Sequence, residues 1–247
     1  MFPKRISRLT SNLHFFVKYL TSLKLYRYFK KATYIGDGIL TTHFVPNSNE
    51  FRKSFTNSFH LVPEEFASLR EIQIRAHIVN WCFNQTKEIP GSVVELGVWY
   101  GILTRCLLDL QKQNTRKFYL FDSWGDEGFQ IQGPYKQHSY KDDIYHIVKE
   151  RFNDFPVVVL VRGSLPYSYD PFKDTPVSFL MIDLNSGLLE IEMLNLIWPR
   201  MSSGAIVYFD DYGQDFPIVR QSIDSFVLEN SVNLLCFPTG QAIIIKK

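Results

Sequence analysis

The sequence predicts an α/β domain: a mostly parallel sheet of seven strands whose C-terminal strand is antiparallel, preceded by an N-terminal helical extension. Three observations carry this expectation. Short apolar runs alternate with helical stretches from Val93 to Glu229, acids stand where several of those runs stop, and only Phe237–Gln241 separates the last two runs. Repeated strand–helix units build parallel sheets with helices on both faces. A parallel crossover needs about a dozen residues, so the short final link forces the last strand to enter antiparallel.

Residues 1–60 read as a helix followed by an irregular lead-in, and residues 61–247 as the α/β domain. Leu9, Leu13, Phe16, Leu20 and Leu23 recur in steps of three and four, which places one apolar stripe on a helix. Its other faces carry cations. Such a helix can make a peripheral contact with an anionic membrane, or it can pack over the domain or across a homodimer seam. Pro63–Asn84 is the next helix, with Phe66, Leu69, Ile72 and Ile74 interleaved with Glu64, Glu65, Arg70 and Arg75. Strands are expected at Val93–Leu96, Lys117–Phe121, Val157–Val161, Val177–Ile182, Ala205–Phe209, Val232–Cys236 and Ala242–Ile245. Helices are expected at Thr104–Leu110, Asp142–Phe152, Leu188–Trp198 and Ile218–Glu229.

Charge and composition narrow the function. The net charge is +2, but eight basic residues precede the first acid, Asp37, and the rest of the chain is mildly acidic. A general nucleic-acid-binding role is therefore not expected. Cys82, Cys106 and Cys236 are scattered without a CxxC or a zinc-like spacing, which suits reduced thiols in a cytoplasmic protein. No apolar run approaches the ~18 residues of a membrane span. LHFFVKYL is broken by Lys18 and lacks a small-residue cleavage site, so no signal peptide is expected.

The stretch Gly91–Gly101 (GSVVELGVWYG) is the most informative. Val93 and Val94 suit a buried central strand. Glu95 lies at its end, and Gly97 permits a tight turn and close approach of a ligand. In open α/β sheets ligands bind outside the carboxyl ends of the strands. Alternatively, Glu95 is a buried cap and Gly97 an ordinary turn. Asp122 ends the next strand, 27 positions after Glu95, so both reach the same sheet edge. A carboxylate there can accept both hydrogen bonds of a ribose diol, or it can cap the following loop.

Asp183 ends SFLMID, and Asp210 with Asp211 ends AIVYFDD, again 27 positions on. Three carboxylates at one edge repel one another unless a cation lies between them. Hard oxygen ligands suit Mg²⁺ or Mn²⁺. The alternative is that one of Asp210 and Asp211 caps the next helix and no metal binds. A metal would answer a chemical need, since ionising an aliphatic hydroxyl at neutral pH costs roughly 12 kcal/mol. A divalent ion removes much of that cost, and positioning two reactants contributes several kcal/mol more.

A parallel sheet closed by one antiparallel C-terminal strand is the Rossmann-like arrangement of class I methyltransferases, and an NAD-type Rossmann domain lacks it. GSVVELGVWYG, FYLFDSW, SFLMIDLN and MSSGAIVYFDDYG resemble, in order, the signature segments of the macrocin O-methyltransferase (TylF-type) family. The resemblance implies a metal-dependent enzyme that uses S-adenosylmethionine on sugar hydroxyls, with a saccharide or glycosylated small molecule as acceptor. By position it assigns Glu95 and Gly97 to the methionine end of the cofactor, Asp122 to the ribose and Arg162–Gly163–Ser164 to the neighbourhood of the adenine. Trp99, Tyr100, Gly101, Ser123 and Asp183 are also expected to bind the cofactor. Asp183, Asp210 and Asp211 would hold the metal, with Asp183 catalytic. Three positions depart from the family: Trp99 replaces a frequent glycine, Asn185 a second Asp, and Gly187 a tyrosine.

His138 is the candidate general base, in the long loop after Asp122, with His146, His43 and His60 as alternatives. His14 and His77 fall in amphipathic helices and are expected to pack. Trp124, Phe129, Tyr135 and Tyr140 could stack on a sugar or serve the loop's own packing. Two other classes compete with the enzyme: a non-catalytic, membrane-associated scaffold retaining the fold, and an NAD-dependent oxidoreductase. The basic start and Asn185 favour the former, while the terminal strand pair and the acidic cluster disfavour the latter.

Overall fold

The computed structural model describes residues 33–36, 39–42, 48–64, 73–125, 142–170, 174–213 and 217–247. The N-terminal apolar stripe, His14, His43, His138, Phe129, Tyr135 and Tyr140 lie outside them. The chain divides into two compact units, Met1–Pro46 and Asn47–Lys247.

In the first unit, β1 (Thr33–Gly36) pairs antiparallel with β2 (Ile39–Thr42), from Thr33↔Thr42 to Gly36↔Ile39. The sequence expectation for this stretch is an irregular segment, and Asp37–Gly38 between two short β-prone runs is a hairpin signal in the sequence.

The second unit begins ahead of the expected boundary at residue 61. Its first element, α1 (Asn49–Asn57), is capped by Ser48, whose side chain accepts from the Phe51 amide at 3.2 Å. Phe51 and Phe55 enter the core cluster, which is why this helix joins the larger body. Then come α2 (Gln73–Gln85), β3 (Ser92–Leu96), α3 (Ile102–Leu110), β4 (Phe118–Asp122), α4 (Tyr145–Arg151) and β5 (Val158–Arg162). The remainder is β6 (Val177–Ile182), α5 (Gly187–Ile197), β7 (Met201–Phe209), α6 (Pro217–Glu229), β8 (Leu234–Cys236) and β9 (Ala242–Ile245).

The seven strands lie in the order β5-β4-β3-β6-β7-β9-β8. The pairs among β3 to β7 are parallel, and β9 runs antiparallel between β7 and β8. The expected architecture is therefore present, including the closing antiparallel strand.

Alternation of side chains along each strand divides the core in two. Val93, Leu120, Met181 and Tyr208 face α1 to α4 on one side. Val94, Phe121, Ile182 and Phe209 face α5 and α6 on the other. β3 and β6, buried on both faces, read accordingly as apolar runs broken only by Ser92, Glu95 and Ser178.

Candidate active site

Parallel register brings the strand ends to a single line. Leu96 pairs with Phe121 and with Ile182, and Ile182 pairs with Phe209. The ladder continues past the strands: Gly97 N–H donates to the Phe121 carbonyl, Asp183 N–H to Leu96 and Asp210 N–H to Ile182, at 2.9–3.0 Å. The helices after β3 and β6 leave toward opposite faces, since α3 packs in one core cluster and α5 in the other. A crevice opens where connections diverge in this way, and Gly97, Asp122, Asp183 and Asp210 border it.

The glycine turn is held together by acids. Thr104 on α3 donates its hydroxyl to Glu95, and both residues are buried. Burial, opposed by that hydrogen bond and reinforced by Asp122 and Asp210, pushes the Glu95 carboxyl up to about 8. Asp122 Oδ2 accepts from the backbone amides of Val98 and Trp99, each at 2.8 Å, while Oδ1 accepts from the Trp124 amide at 3.0 Å. A diol gripped through both oxygens would compete with those bonds, so the first task of Asp122 is to shape the turn.

Gly97 is glycine for a reason other than ligand access. It has φ +82°, and a Cβ there would lie 1.8 Å from the Asp183 backbone carbonyl oxygen. The missing side chain lets the ends of β3 and β6 meet. Gly101, at φ +67°, lies against the Phe152 ring, 2.6 Å from where its Cβ would be. Tyr100 is buried in the core cluster, and its carbonyl accepts from Arg151 Nε at 2.7 Å. Arg151 also donates to the Ser58 carbonyl at 2.6 Å, which ties the end of α1 to the turn.

Trp99, Asn185 and Gly187 have local structural causes. Trp99 adopts φ +51°, a conformation costly for a bulky residue. It is secured there by Asp122 on its amide and by Trp124 Nε1 on its carbonyl at 2.8 Å. Asn185, at φ +53°, donates Nδ2 to Asp183 Oδ1 at 3.3 Å, so it supports Asp183 without adding charge. Gly187 opens α5 where a Cβ would come within 2.8 Å of the Val219 backbone. A tyrosine at that point would drive α5 and α6 apart. Beyond β5, Gly163 N–H donates to the Asp122 carbonyl at 3.0 Å, and Ser164 is buried. Ser123 is partly buried beside Asp122.

Asp183, Asp210 and Asp211 each offer an oxygen within 4.8 Å of the others, a donor set that fits a hard divalent cation. Burial and the neighbouring Asp210 and Asp211 raise the Asp183 carboxyl well above the usual range, and Arg75 partly offsets this. Asp210 follows Tyr208 by two, so it emerges on the α2 face. There it forms an ion pair with Arg75, and Tyr208 donates its hydroxyl to Oδ1 at 2.6 Å. Burial raises Asp210 while Arg75 and Tyr208 pull it down.

In the sequence Arg75 is one of several interleaved charges, and Thr104, Tyr208 and Glu190 carry no local signal of a site. Arg75 and Asp210 are 135 positions apart, so no spacing pattern could join them. Glu190, buried on α5, is a fourth acid near the cluster. Burial, then Asp211, pushes it up to about 7, and its Oε1 has no hydrogen-bond partner among the described residues. His146 is exposed at α4 and His60 is exposed after α1. Burial lowers the pKa of His77 on α2, whose ring meets Phe51 edge-on at 6.0 Å.

A cleft of about 760 Å³ bordered by Lys53, Lys87, Asp109 and Arg116 lies at the other end of the strands, before β4 begins. It lacks the acidic cluster and the glycine turn, so the chemistry belongs to the carboxyl edge. Among the described residues no helix is long and apolar enough to cross a membrane.

The strand order, with β9 inserted antiparallel, is the architecture of class I methyltransferases. The family described as "Methyltransferase domain" matches residues 94–212, the span that carries the turn and all three aspartates. Mycinamicin III 3''-O-methyltransferase of Micromonospora griseorubida is 21% identical over 216 residues, 80% of this chain and 82% of that protein. The 8-demethyl-8-(2,3-dimethoxy-alpha-L-rhamnosyl)-tetracenomycin-C 4'-O-methyltransferase of Streptomyces olivaceus is 27% identical over 143 residues, 51% of this chain and 55% of that protein. The structure of CalS11, a TDP-rhamnose 3'-O-methyltransferase of calicheamicin biosynthesis, shares the fold with TM-score 0.55. It is 19% identical and covers 83% of this chain and 96% of its own. The chain is an S-adenosylmethionine-dependent O-methyltransferase. Among the described residues, nothing supports the alternative of a non-catalytic membrane scaffold.

Proposed function

We propose that this enzyme methylates a hydroxyl of a saccharide or glycosylated metabolite with the assistance of Mg²⁺ or Mn²⁺, as a relative of the macrocin-type enzymes. The observation that carries the metal reading is the approach of the Asp183, Asp210 and Asp211 oxygens to within 4.8 Å. The saccharide reading is supported by the relatives' names, one citing a rhamnosyl compound and one TDP-rhamnose.

When bound, S-adenosylmethionine supplies an electrophilic methyl group on sulfur, and a divalent ion lowers the pKa of an alcohol. The chain's residues supply the frame and the base. The turn from Gly97 to Gly101, fixed by Asp122, would hold the donor together with Gly163 and Ser164. Asp183 takes the acceptor's proton. Asn185 holds one of its oxygens in place for that role. Transfer to the acceptor oxygen would leave the donor as a neutral thioether, with the acceptor's proton on Asp183.

The test offers nucleotide sugars, glycosides and catechols to the full chain with S-adenosylmethionine. We expect methylation of sugar hydroxyls. EDTA and Asp210→Ala should each lower it about a hundredfold or more, while S-adenosylhomocysteine affinity by calorimetry stays within about threefold, the change of a donor site left intact. Turnover indifferent to both treatments removes the metal. Catechol methylation alone removes the saccharide.

A further inference from the structure

We propose that Arg75 is the resident cation of the acidic cluster and the competitor that a divalent ion must displace from Asp210. The idea rests on the metal reading above and adds a residue from outside the strands that carry the acids. Asp210 is buried, and both its carboxylate oxygens already meet the chain's own donors, Arg75 at Oδ2 and Tyr208 at Oδ1. Its backbone carbonyl also accepts, from Gln241 Nε2 at 3.3 Å.

Arg75 acts on more than one acid. It is paired with Asp210, and the Asp183 and Asp211 oxygens lie within 4.8 Å of an Asp210 oxygen, which places one guanidinium in the field of the whole cluster. Three carboxylates within 4.8 Å repel one another strongly, and a guanidinium holds its charge at any physiological pH. Arg75 therefore stabilises the cluster when no metal is bound. Tyr208 already holds Oδ1, so a metal ligated through Oδ2 would share that oxygen with Arg75, and two cations in contact with one buried oxygen repel each other. Binding must then release Arg75, and the side chain has somewhere to go: it is 25% exposed, against 2% for Asp210. Tyr208 is fixed within β7 and remains on Oδ1, so the exchange concerns one oxygen and leaves the rest of the carboxylate's setting unchanged.

Such an exchange sets metal affinity below what three carboxylates alone would give, and it couples the site to α2, the helix that carries Arg75. Arg75 is accordingly a positioning residue whose effect is read in metal affinity rather than in turnover alone.

The decisive measurement is a Mn²⁺ titration of the full-length protein followed by electron paramagnetic resonance, without cofactor or acceptor. Arg75→Met should bind Mn²⁺ at least tenfold tighter than wild type, and Arg75→Lys, a cation without the guanidinium fork, a few-fold tighter. The double variant Arg75→Met/Asp183→Asn should lose the gain. In EDTA the thermal midpoint of Arg75→Met should fall below that of wild type and return on adding Mn²⁺. Equal or weaker Mn²⁺ binding by Arg75→Met, beside a wild type that binds, overturns the exchange and leaves the metal reading standing. No binding by either protein defeats the metal reading and the exchange with it. Should Arg75→Met fail to fold, Arg75→Lys decides, and affinity no tighter than wild type sinks the proposal.

Discussion

At the β3–β4 end of the crevice, Glu95 and Asp122 are matched to donors of their own chain: a threonine hydroxyl for one and three backbone amides for the other. At the β6–β7 end, Asp183, Asp210 and Asp211 crowd together around Arg75. Both ends are made of acids placed at strand termini 27 positions apart. The first pair forms a frame because its oxygens are committed to fixed hydrogen bonds. The second group concentrates negative charge, so it can meet a cation or a proton. An acid at the end of a strand is thus only a starting point, and the number of donors that surround it decides what it does.

The seam between the two ends is Gly97, and its replacement should have the largest effect. Gly97→Ala sets a Cβ against the Asp183 carbonyl at φ +82°, and it should destabilise the protein by about 3–5 kcal/mol in urea unfolding. A loss below about 1 kcal/mol would mean the two strand ends can separate freely.

Asp122→Asn comes next. An amide keeps one acceptor oxygen, so at least one of the Val98, Trp99 and Trp124 amides loses its partner. We expect a loss of about 2 kcal/mol and a roughly tenfold weaker S-adenosylhomocysteine complex by calorimetry. Unchanged stability with weakened binding would make Asp122 a ligand contact first and a frame second.

Per pH unit, the smallest effect is that of the Glu95 carboxyl. Folding raises the Glu95 carboxyl from 4.5 to about 8, so across that window the native state keeps a proton the unfolded chain has released. Stability should be greatest below about pH 4.5, decline as pH rises and level off above about 8, with a slope from this group of up to ~1.4 kcal/mol per pH unit. Glu95→Gln should remove that part of the slope, leaving the separate contribution of Glu190. Identical unfolding profiles for variant and wild type between pH 5 and 8 would show that Glu95 is ionised in the fold.

Much of the site was legible because strand ends are written locally. The short apolar runs stop at Glu95–Leu96–Gly97, Asp122, Asp183 and Asp210 in the sequence and, within a residue or two, in the structure. The reason for Gly97 was not legible, since the atom it makes room for belongs to another strand. The hairpin at β1 and β2 had a local signal, the Asp–Gly pair. Helix α1 had its cap at Ser48, but the core it completes comes from distant residues.

Periodicity of apolar residues and the length of the last connection determined the layers, the direction of the strands and the row of acids, because those depend on near neighbours along the chain. Tertiary structure alone decided which acid received which partner: Thr104 on Glu95, the turn's amides on Asp122, and Arg75 on Asp210. Electrostatic and hydrogen-bond energies act through a few ångströms of space, and that proximity exists only after the sheet and its helices have assembled.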